Sequence, residues 1–404
     1  MTVAAAAPLG ISLVAAEESG DVLGSALMSA LRVLHSGPIG FSGAGGRAMA
    51  AQGLANPFDT ADLSIIGFAS IPRKLPLILR RIRETADAVV AAKPDALIII
   101  DSPDFTHRVA RRVRAAAPQI RIINYAPPSV WAWRPGRARA MRRYVDEVLA
   151  ILPFEPAAFA RLDGPPCTYM GHPLVERISD LRPNASEARR RQAHPPVVLV
   201  LPGSRGSEIR RLGDIFGAAI AQAAERTGPF DLVLPTLPHI LERVTAATAS
   251  WPVQPRIVAG EAEKHAAFRT ARAALAASGT VTLELALAQV PMVAAYRIPA
   301  WEGALFRVMA SIDTVILANI VLGKKVVPEF LQSECTPDRL AAGLVAALGD
   351  TPERRRQLDG FAELDAVMDL AGEPPSVRAA RAVLALIARQ SSATAALPSS
   401  DGSC

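Results

Sequence analysis

The chain has 404 residues, enough for two domains with full cores at roughly one domain per ~150 residues. Half of the residues are hydrophobic and 20% are charged, which excludes disorder. No apolar run approaches the roughly 20 residues of a spanning helix, because the most apolar window, residues 273–296, is broken by Gly279, Glu284 and Pro291. A net charge of +6, with arginine far outnumbering lysine, favours an anionic partner: nucleic acid, a phosphorylated metabolite or an acidic lipid surface.

Residues 1–16 carry no basic residue before their apolar part, so they read as a lead into a first strand and not as a signal peptide. Cys167, Cys335 and Cys404 are far apart and form no C-x-x-C pair, which suggests neither a disulfide framework nor a zinc site. A cytosolic chain is expected.

Residues 11–15 read as a buried strand, Glu17 to Asp21 as a polar turn, and residues 22–34 as a helix with Leu23, Leu27, Leu31 and Leu34 at helical spacing. Ile39-Gly40-Phe41 leads into the glycine-rich loop Ser42-Gly43-Ala44-Gly45-Gly46, which suits a tight βα turn or a phosphate cradle. Residues 65–82 mix Ile66, Phe68, Ile71, Leu75 and Leu79 with Arg73, Lys74, Arg80 and Arg81. Such a mixture suits either an interfacial segment that meets acyl chains or an anionic membrane, or a core helix with a basic edge. Pro72 and Pro76 argue against a long regular helix there.

Residues 96–100 form a buried-type strand ending in Asp101-Ser-Pro-Asp104-Phe105. Strand carboxyl ends face the ligand crevice of parallel α/β sheets, so a carboxylate there is placed for acid–base work, or it caps the next helix. Asp101 follows the strand directly and is the expected general base; Asp104, three residues on, is the expected cap. The spacing is not a D-x-D motif, and no metal or cofactor is called for.

After a strand at residues 120–125, Trp131 and Trp133 sit in a proline-bounded, arginine-rich loop, a pattern that also suits base stacking. Strands follow at residues 148–152 and 167–170. The domain boundaries expected are an N-terminal domain over residues 8–175, a linker at 176–196, a second domain at 197–350, C-terminal helices at 351–389 and a disordered tail at 390–404.

Residues 197–201 are an apolar, mostly β-branched strand, and Pro202-Gly-Ser-Arg205-Gly-Ser-Glu208 reads as a turn opening a helix, either an ordinary βα turn with a solvated arginine or one whose unpaired backbone N–H groups and Arg205 receive a diphosphate. The second half then alternates helix and strand. Ser278-Gly279-Thr280 forms another small-residue turn, with Glu284 one helical turn beyond, where a carboxylate can accept both ribose hydroxyls. Residues 292–296 are the last clear strand.

Taken together, the sequence resembles the lipid-A-disaccharide synthase family. The resemblance is carried by Glu17-x-Ser19-Gly20-Asp21, Asp101-x-Pro-Asp104-Phe105, Pro128-Ser129-Val-Trp131-Ala-Trp-Arg134, Gly171-His172, Leu201-Pro-Gly-Ser204-Arg205-Gly-x-Glu208, Ala277-Ser278-Gly279-Thr280-x-x-Leu-Glu284, Pro291-Met-Val293, Tyr296-Arg297 and Asn319. Ala16, Thr106 and Ala318 depart from the family's usual glycine, asparagine and proline. The resemblance implies an α/β protein of two Rossmann-like domains facing a central cleft, the GT-B type, with C-terminal helices crossing back to the first domain.

It also implies a metal-free, inverting transfer from UDP-2,3-diacylglucosamine to 2,3-diacylglucosamine 1-phosphate, with peripheral contact at the inner membrane surface and room for a homodimer. Asp101 and Arg205 are then the catalytic residues. Glu17, Ser19, Asp21, Ser129, Trp131, Ser204, Ser278, Gly279, Thr280, Glu284 and Asn319 bind the substrates, and Ile66, Phe68, Ile71, Leu75 and Leu79 meet acyl chains or membrane. Two other readings stand beside it: another UDP-sugar enzyme of the same fold, such as a 2-epimerase, or a basic RNA-binding protein. Nucleic acid is not an expected partner under the first reading.

Overall fold

The computed structural model describes residues 7–58, 71–298 and 313–395. The chain divides into two compact units, Met1–Pro173 with Gly372–Cys404, and Leu174–Ala371.

The first unit runs β1 (Leu9–Ala15), α1 (Glu18–Leu34), β2 (Ile39–Ala44), α2 (Arg47–Ala51), α3 (Ile71–Ala92), β3 (Ala96–Ile100), α4 (Pro103–Ala116), β4 (Arg121–Tyr125), α5 (Gly136–Met141), β5 (Glu147–Ala150), α6 (Glu155–Arg161) and β6 (Cys167–Tyr169). Its strands are all parallel, in the order β2-β1-β3-β4-β5-β6. Helices cover both faces, so the inner strands have no solvent side and read as unbroken apolar runs; all five residues of β3 are buried.

The second unit runs α7 (Ile178–Leu181), α8 (Ala185–Gln192), β7 (Val197–Leu201), α9 (Gly206–Thr227), β8 (Asp231–Thr236), α10 (Leu241–Thr248), β9 (Arg256–Ala259), α11 (Glu261–Thr270), β10 (Ala273–Ala277), α12 (Thr280–Leu287), β11 (Met292–Tyr296), α13 (Leu317–Leu322), β12 (Glu329–Leu331), α14 (Pro337–Leu348) and α15 (Pro352–Val367). Its parallel sheet has the order β12-β11-β10-β7-β8-β9. Ile209, Leu212, Phe216 and Ile220 of α9 pack with Leu340, Ala341 and Leu344 of α14 in its core. The last helix, α16 (Pro375–Ala395), returns to the first unit, where Ala379, Ala380, Val383 and Ile387 join Leu27 and Leu31 of α1.

Strand order fixes where ligands bind. In the first sheet the chain steps from β1 outward to β2 and then back across to β3, so the direction of winding reverses between β1 and β3, which pair from Ile11↔Ala96 to Ala15↔Ile100. In the second sheet the reversal falls between β7 and β10. Helices leave opposite faces at such a switch point, opening a crevice at the strand carboxyl ends. The residues next in sequence are Glu17 to Asp21 and Asp101 in one unit, and Gly203 to Arg205 and Ser278 to Thr280 in the other.

The structure departs from several expectations. The glycine-rich loop is largely strand: Ser42, Gly43 and Ala44 continue β2, pairing with β1 (Ser12↔Ser42, Val14↔Ala44), and the two serine hydroxyls meet at 2.7 Å. The segment expected as a linker holds α7 and α8 and is docked: Glu187 pairs with Arg269 at 2.8 Å, and Arg191 donates to the carbonyls of Phe268, Ala288 and Gln289. Residues 351–371 belong with the second unit and not with α16. Strand β12 was not expected, since three half-buried residues leave no periodic signal. Helix α3 contains both prolines: Pro72 stands in the first turn, where no N–H is needed, and Pro76 is accommodated inside. The expected disordered tail is helical to Ala395, and its remaining residues lie outside the described ones.

Candidate active site

The first switch point is organised by a strained turn. Asp101 (φ 51°) and Ser102 (φ 42°) both stand in the left-handed region, which costs a non-glycine residue about 1 kcal/mol or more and is kept only where surrounding bonds impose it. Here Thr106 Oγ1, buried in α4, donates to the carbonyls of Asp101 (2.6 Å) and Ser102 (3.2 Å). Both carboxylate oxygens are placed as well. Oδ1 accepts from the Ser102 N–H at 2.7 Å and Oδ2 accepts from Ser19 Oγ at 2.9 Å. Two residues predicted 82 positions apart thus meet, with spare lone pairs on a part-exposed carboxylate. Glu17 is exposed two residues before Ser19, and Ser129 is exposed in the loop after β4.

Asp104 does not cap α4 as expected. Helix α4 has Ser102 at its N-cap without a side-chain cap bond, and the Asp104 side chain is 85% exposed, facing Arg137 at 3.3 Å. Two further predicted binding residues, Asp21 and Asn319, are spent on the protein's own backbone, and a third, Trp131, on a side chain. Asp21 is buried and accepts from the N–H groups of Ala48 (2.8 Å) and Met49 (3.0 Å), filling the N-terminus of α2. Asn319 is buried with both ends used: Oδ1 accepts from Val326 and Val327 N–H at 2.9 Å, and Nδ2 donates to the Val327 carbonyl at 3.0 Å and Thr314 Oγ1 at 3.2 Å.

Trp131 is only 9% exposed; its ring packs edge-on against Phe154 and its Nε1 donates to Glu155 at 3.2 Å. A closed-in indole has no face left for a base, and half-buried Trp133 lies beside Arg134.

Glu155, which sequence reasoning missed, is the anchor of that loop. Its Oε2 also accepts from the Ile151 (3.1 Å) and Leu152 (2.9 Å) N–H groups, and burial pushes its carboxyl up to about 7 against those hydrogen bonds.

In the second unit the predicted diphosphate turn is partly occupied. Glu208 folds back so that Oε2 accepts from the N–H groups of Ser204 (3.0 Å) and Arg205 (3.2 Å). Gly203 (φ +114°) makes this fold possible, since a Cβ there would lie 2.4 Å from that oxygen. Two of the N–H groups expected to hold phosphate are therefore taken by the protein's own carboxylate. Cationic side chains remain: Arg205 is 74% exposed and only loosely tied to Glu208 at 3.2 Å. Arg243 of α10, also missed, lies against Gly206, where a Cβ would sit 2.1 Å from its Nη1. A second guanidinium at the positive end of a 22-residue helix adds cationic charge beyond the one carboxylate, Glu208, already placed there.

At the β10 end, Ser278 is half-buried and donates to the Val315 carbonyl at 3.2 Å, while Gly279 and Thr280 are exposed at the start of α12. Glu284, one turn on, is ion-paired with Lys264 at 2.7 Å. Among the described residues no group of three or more His, Cys, Asp or Glu is arranged to hold a metal ion.

Of the predicted acyl-chain residues, Ile66 and Phe68 lie outside the described residues, and Ile71 opens α3. Leu75 and Leu79, one turn apart, are 41% and 40% exposed, whereas Ile82, Ala86 and Val89 face the core. Leu75, Leu79, Ile82, Ala86 and Val89 all lie on one helical stripe, which packs on the core from Ile82 onward and is exposed at Leu75 and Leu79. No helix of the described residues is long and apolar enough to cross a membrane.

Two parallel sheets, each with a polar or cationic turn at its switch point, make this an α/β protein of the two-Rossmann GT-B class. Solved structures agree on the fold. The chain is similar to a putative UDP-N-acetylglucosamine 2-epimerase from Listeria monocytogenes (TM-score 0.58, 12% identity, 96% of this chain and 98% of that one). It is also similar to CalG4, the calicheamicin glycosyltransferase (TM-score 0.54, 16% identity, 95% and 99%).

The family described as lipid-A-disaccharide synthetase matches residues 11–371. A lipid-A-disaccharide synthase of Nitrobacter hamburgensis is 60% identical over 374 residues, 93% of this chain and 94% of that protein. The chain belongs to the lipid-A-disaccharide synthase family, and it is a glycosyltransferase.

The raised Glu155 carboxyl has a sign that can be measured. A folded value near 7 against about 4.5 unfolded means that its contribution to stability is full below pH 4.5 and is lost as pH rises through 7. The unfolding free energy of wild type relative to Glu155→Gln should therefore fall between pH 4.5 and 7, by up to about 3 kcal/mol, and level off above. A pH-independent difference in denaturant titrations would show that Glu155 titrates normally.

Proposed function

We propose that the chain joins UDP-2,3-diacylglucosamine to 2,3-diacylglucosamine 1-phosphate, with the acceptor held by the first unit and the donor by the second. The observation that carries this reading is the rigid Asp101 turn at the first switch point. The acceptor 6-hydroxyl gives its proton to Asp101 as its oxygen attacks the anomeric carbon. The bond from that carbon to the diphosphate breaks, and UDP leaves with the electron pair. Attack opposite the leaving group inverts the centre, so one base suffices, and no covalent intermediate is required. Arg205 and Arg243 meet the charge that develops on the diphosphate, where a side chain that strengthens its grip in the transition state raises turnover. Glu284 accepts from the ribose hydroxyls.

Both substrates carry acyl chains, which supports peripheral attachment at the inner membrane surface through residues 65–82. Exposed Leu75 and Leu79 at the start of α3, with exposed Arg80 and Arg83 near them, suit an anionic bilayer. A homodimer is compatible with this arrangement. The family match favours this activity over a 2-epimerase or RNA binding.

Asp101→Asn should lower UDP release from the two lipid substrates by about 10³-fold or more while leaving UDP affinity and melting temperature near wild type. Asp104→Asn should retain activity and cost no more than about 0.5 kcal/mol, because its side chain is exposed. A reversal of the two results would exchange the roles.

Arg205→Ala should cost about 10²-fold in turnover, and Arg243→Ala about tenfold, each mainly in kcat. Unchanged turnover in either would remove that guanidinium from the site. Serine at both Leu75 and Leu79 should weaken flotation with anionic vesicles while costing little stability; loss of several kcal/mol in a melt would instead make them core residues.

A further inference from the structure

We propose that Lys264 sets the ribose selectivity of the donor site by fixing the Glu284 carboxylate. The inference rests on the reading of Glu284 as the ribose acceptor.

Helical spacing offers Lys264 a local partner, since Glu261 stands three residues earlier on α11. That partner is diverted: Glu261 pairs with Arg177 at 2.7 Å. Lys264 reaches across to α12, where its Nζ meets Glu284 Oε2 at 2.7 Å. The stem lies beside Phe268, with the ammonium 5.9 Å from the ring centroid. Both side chains are largely covered, 25% and 14% exposed, so this pair is set by packing and is not a loose surface contact.

A carboxylate has about four lone-pair sites, two on each oxygen. Lys264 commits Oε2, and Oε1 has no hydrogen-bond partner among the described residues. The pair therefore presents one oxygen in a fixed place, one helical turn beyond the exposed Gly279-Thr280 turn at the carboxyl end of β10. A free glutamate would have to order its χ angles when ligand arrives, at an entropic cost that a pre-paired one has already met. Without its counter-ion, a mostly covered carboxylate would also turn toward water and away from that place. Lys264 acts through Glu284 and is a positioning residue.

The test compares the affinity of the full-length protein for UDP and for its 2′,3′-dideoxy analogue, which lacks both hydroxyls. Wild type should prefer UDP by roughly tenfold or more, the scale of a hydrogen bond to a charged group. Lys264→Met should weaken UDP about tenfold and leave the dideoxy analogue within about twofold, so that the preference collapses. Lys264→Arg should restore most of it. Lys264→Gln serves as a second variant should the methionine fail to fold. A preference that survives in the lysine variants, or equal weakening of both nucleotides, would overturn the proposal. Glu284→Ala, which has no acceptor, separates the two levels. Lost preference there with retained preference in Lys264→Met removes the lysine alone, whereas retained preference in Glu284→Ala removes the ribose reading on which it stands.

Discussion

Every irregular turn at the carboxyl edge of a parallel sheet leaves backbone N–H groups without strand partners, and buried N–H groups must be paired. This protein meets that demand with its own acids and amides. Asp21 fills the N-terminus of α2, Glu155 holds the Ile151-Leu152 backbone and Glu208 folds into the turn before α9, while at the opposite, amino edge Asn319 clamps Val326 and Val327 ahead of β12. The loops are rigid because these groups are consumed. Under the proposed function, ligand chemistry falls to the side chains left over: Asp101 in one unit, and Arg205, Arg243 and Glu284 in the other.

The same constraint divides the electrostatics. Where a carboxylate is buried on backbone N–H groups it is unavailable for catalysis; Glu155, deepest of them, is so desolvated that its carboxyl sits near 7. Asp101 is different in kind. Its two hydrogen bonds orient it without covering it, and the strained turn gives it one direction. In the second unit the helix-end charge is already balanced at Ser204 and Arg205 by Glu208. The guanidinium groups of Arg205 and Arg243 are thereby left as the surplus that an incoming dianion would neutralise.

Much of this was legible in the chain. The continuous apolar runs at Ala96–Ile100, Val197–Leu201 and Met292–Tyr296 name inner strands of parallel sheets because both faces are covered. The residues following them could be assigned to strand ends for the same reason. The pairing of Ser19 with Asp101 was not legible, since it depends on β1 lying beside β3. Asp21, Trp131 and Asn319 stand in recognisable motifs, yet a motif does not say whether a polar group faces ligand or protein; here Asp21 and Asn319 bond backbone, and Trp131 bonds the Glu155 carboxyl. Arg243 and Lys264 carry no local signal at all. Each matters only through a contact made by the fold, with Gly206 and with Glu284.

The central claim is that ligands meet the two switch points while the acid-filled loops beside them are internal scaffold. Amide hydrogen exchange on the full chain, with and without saturating UDP and then the lipid acceptor, tests it most directly. UDP should slow exchange over residues 203–208 and 278–287, and the acceptor over residues 101–106, with residues 47–51 and 326–327 unchanged by either. Protection by UDP at residues 47–51 or 326–327, with none at 203–208, would contradict the account, because Asp21 or Asn319 would then be a ligand residue after all.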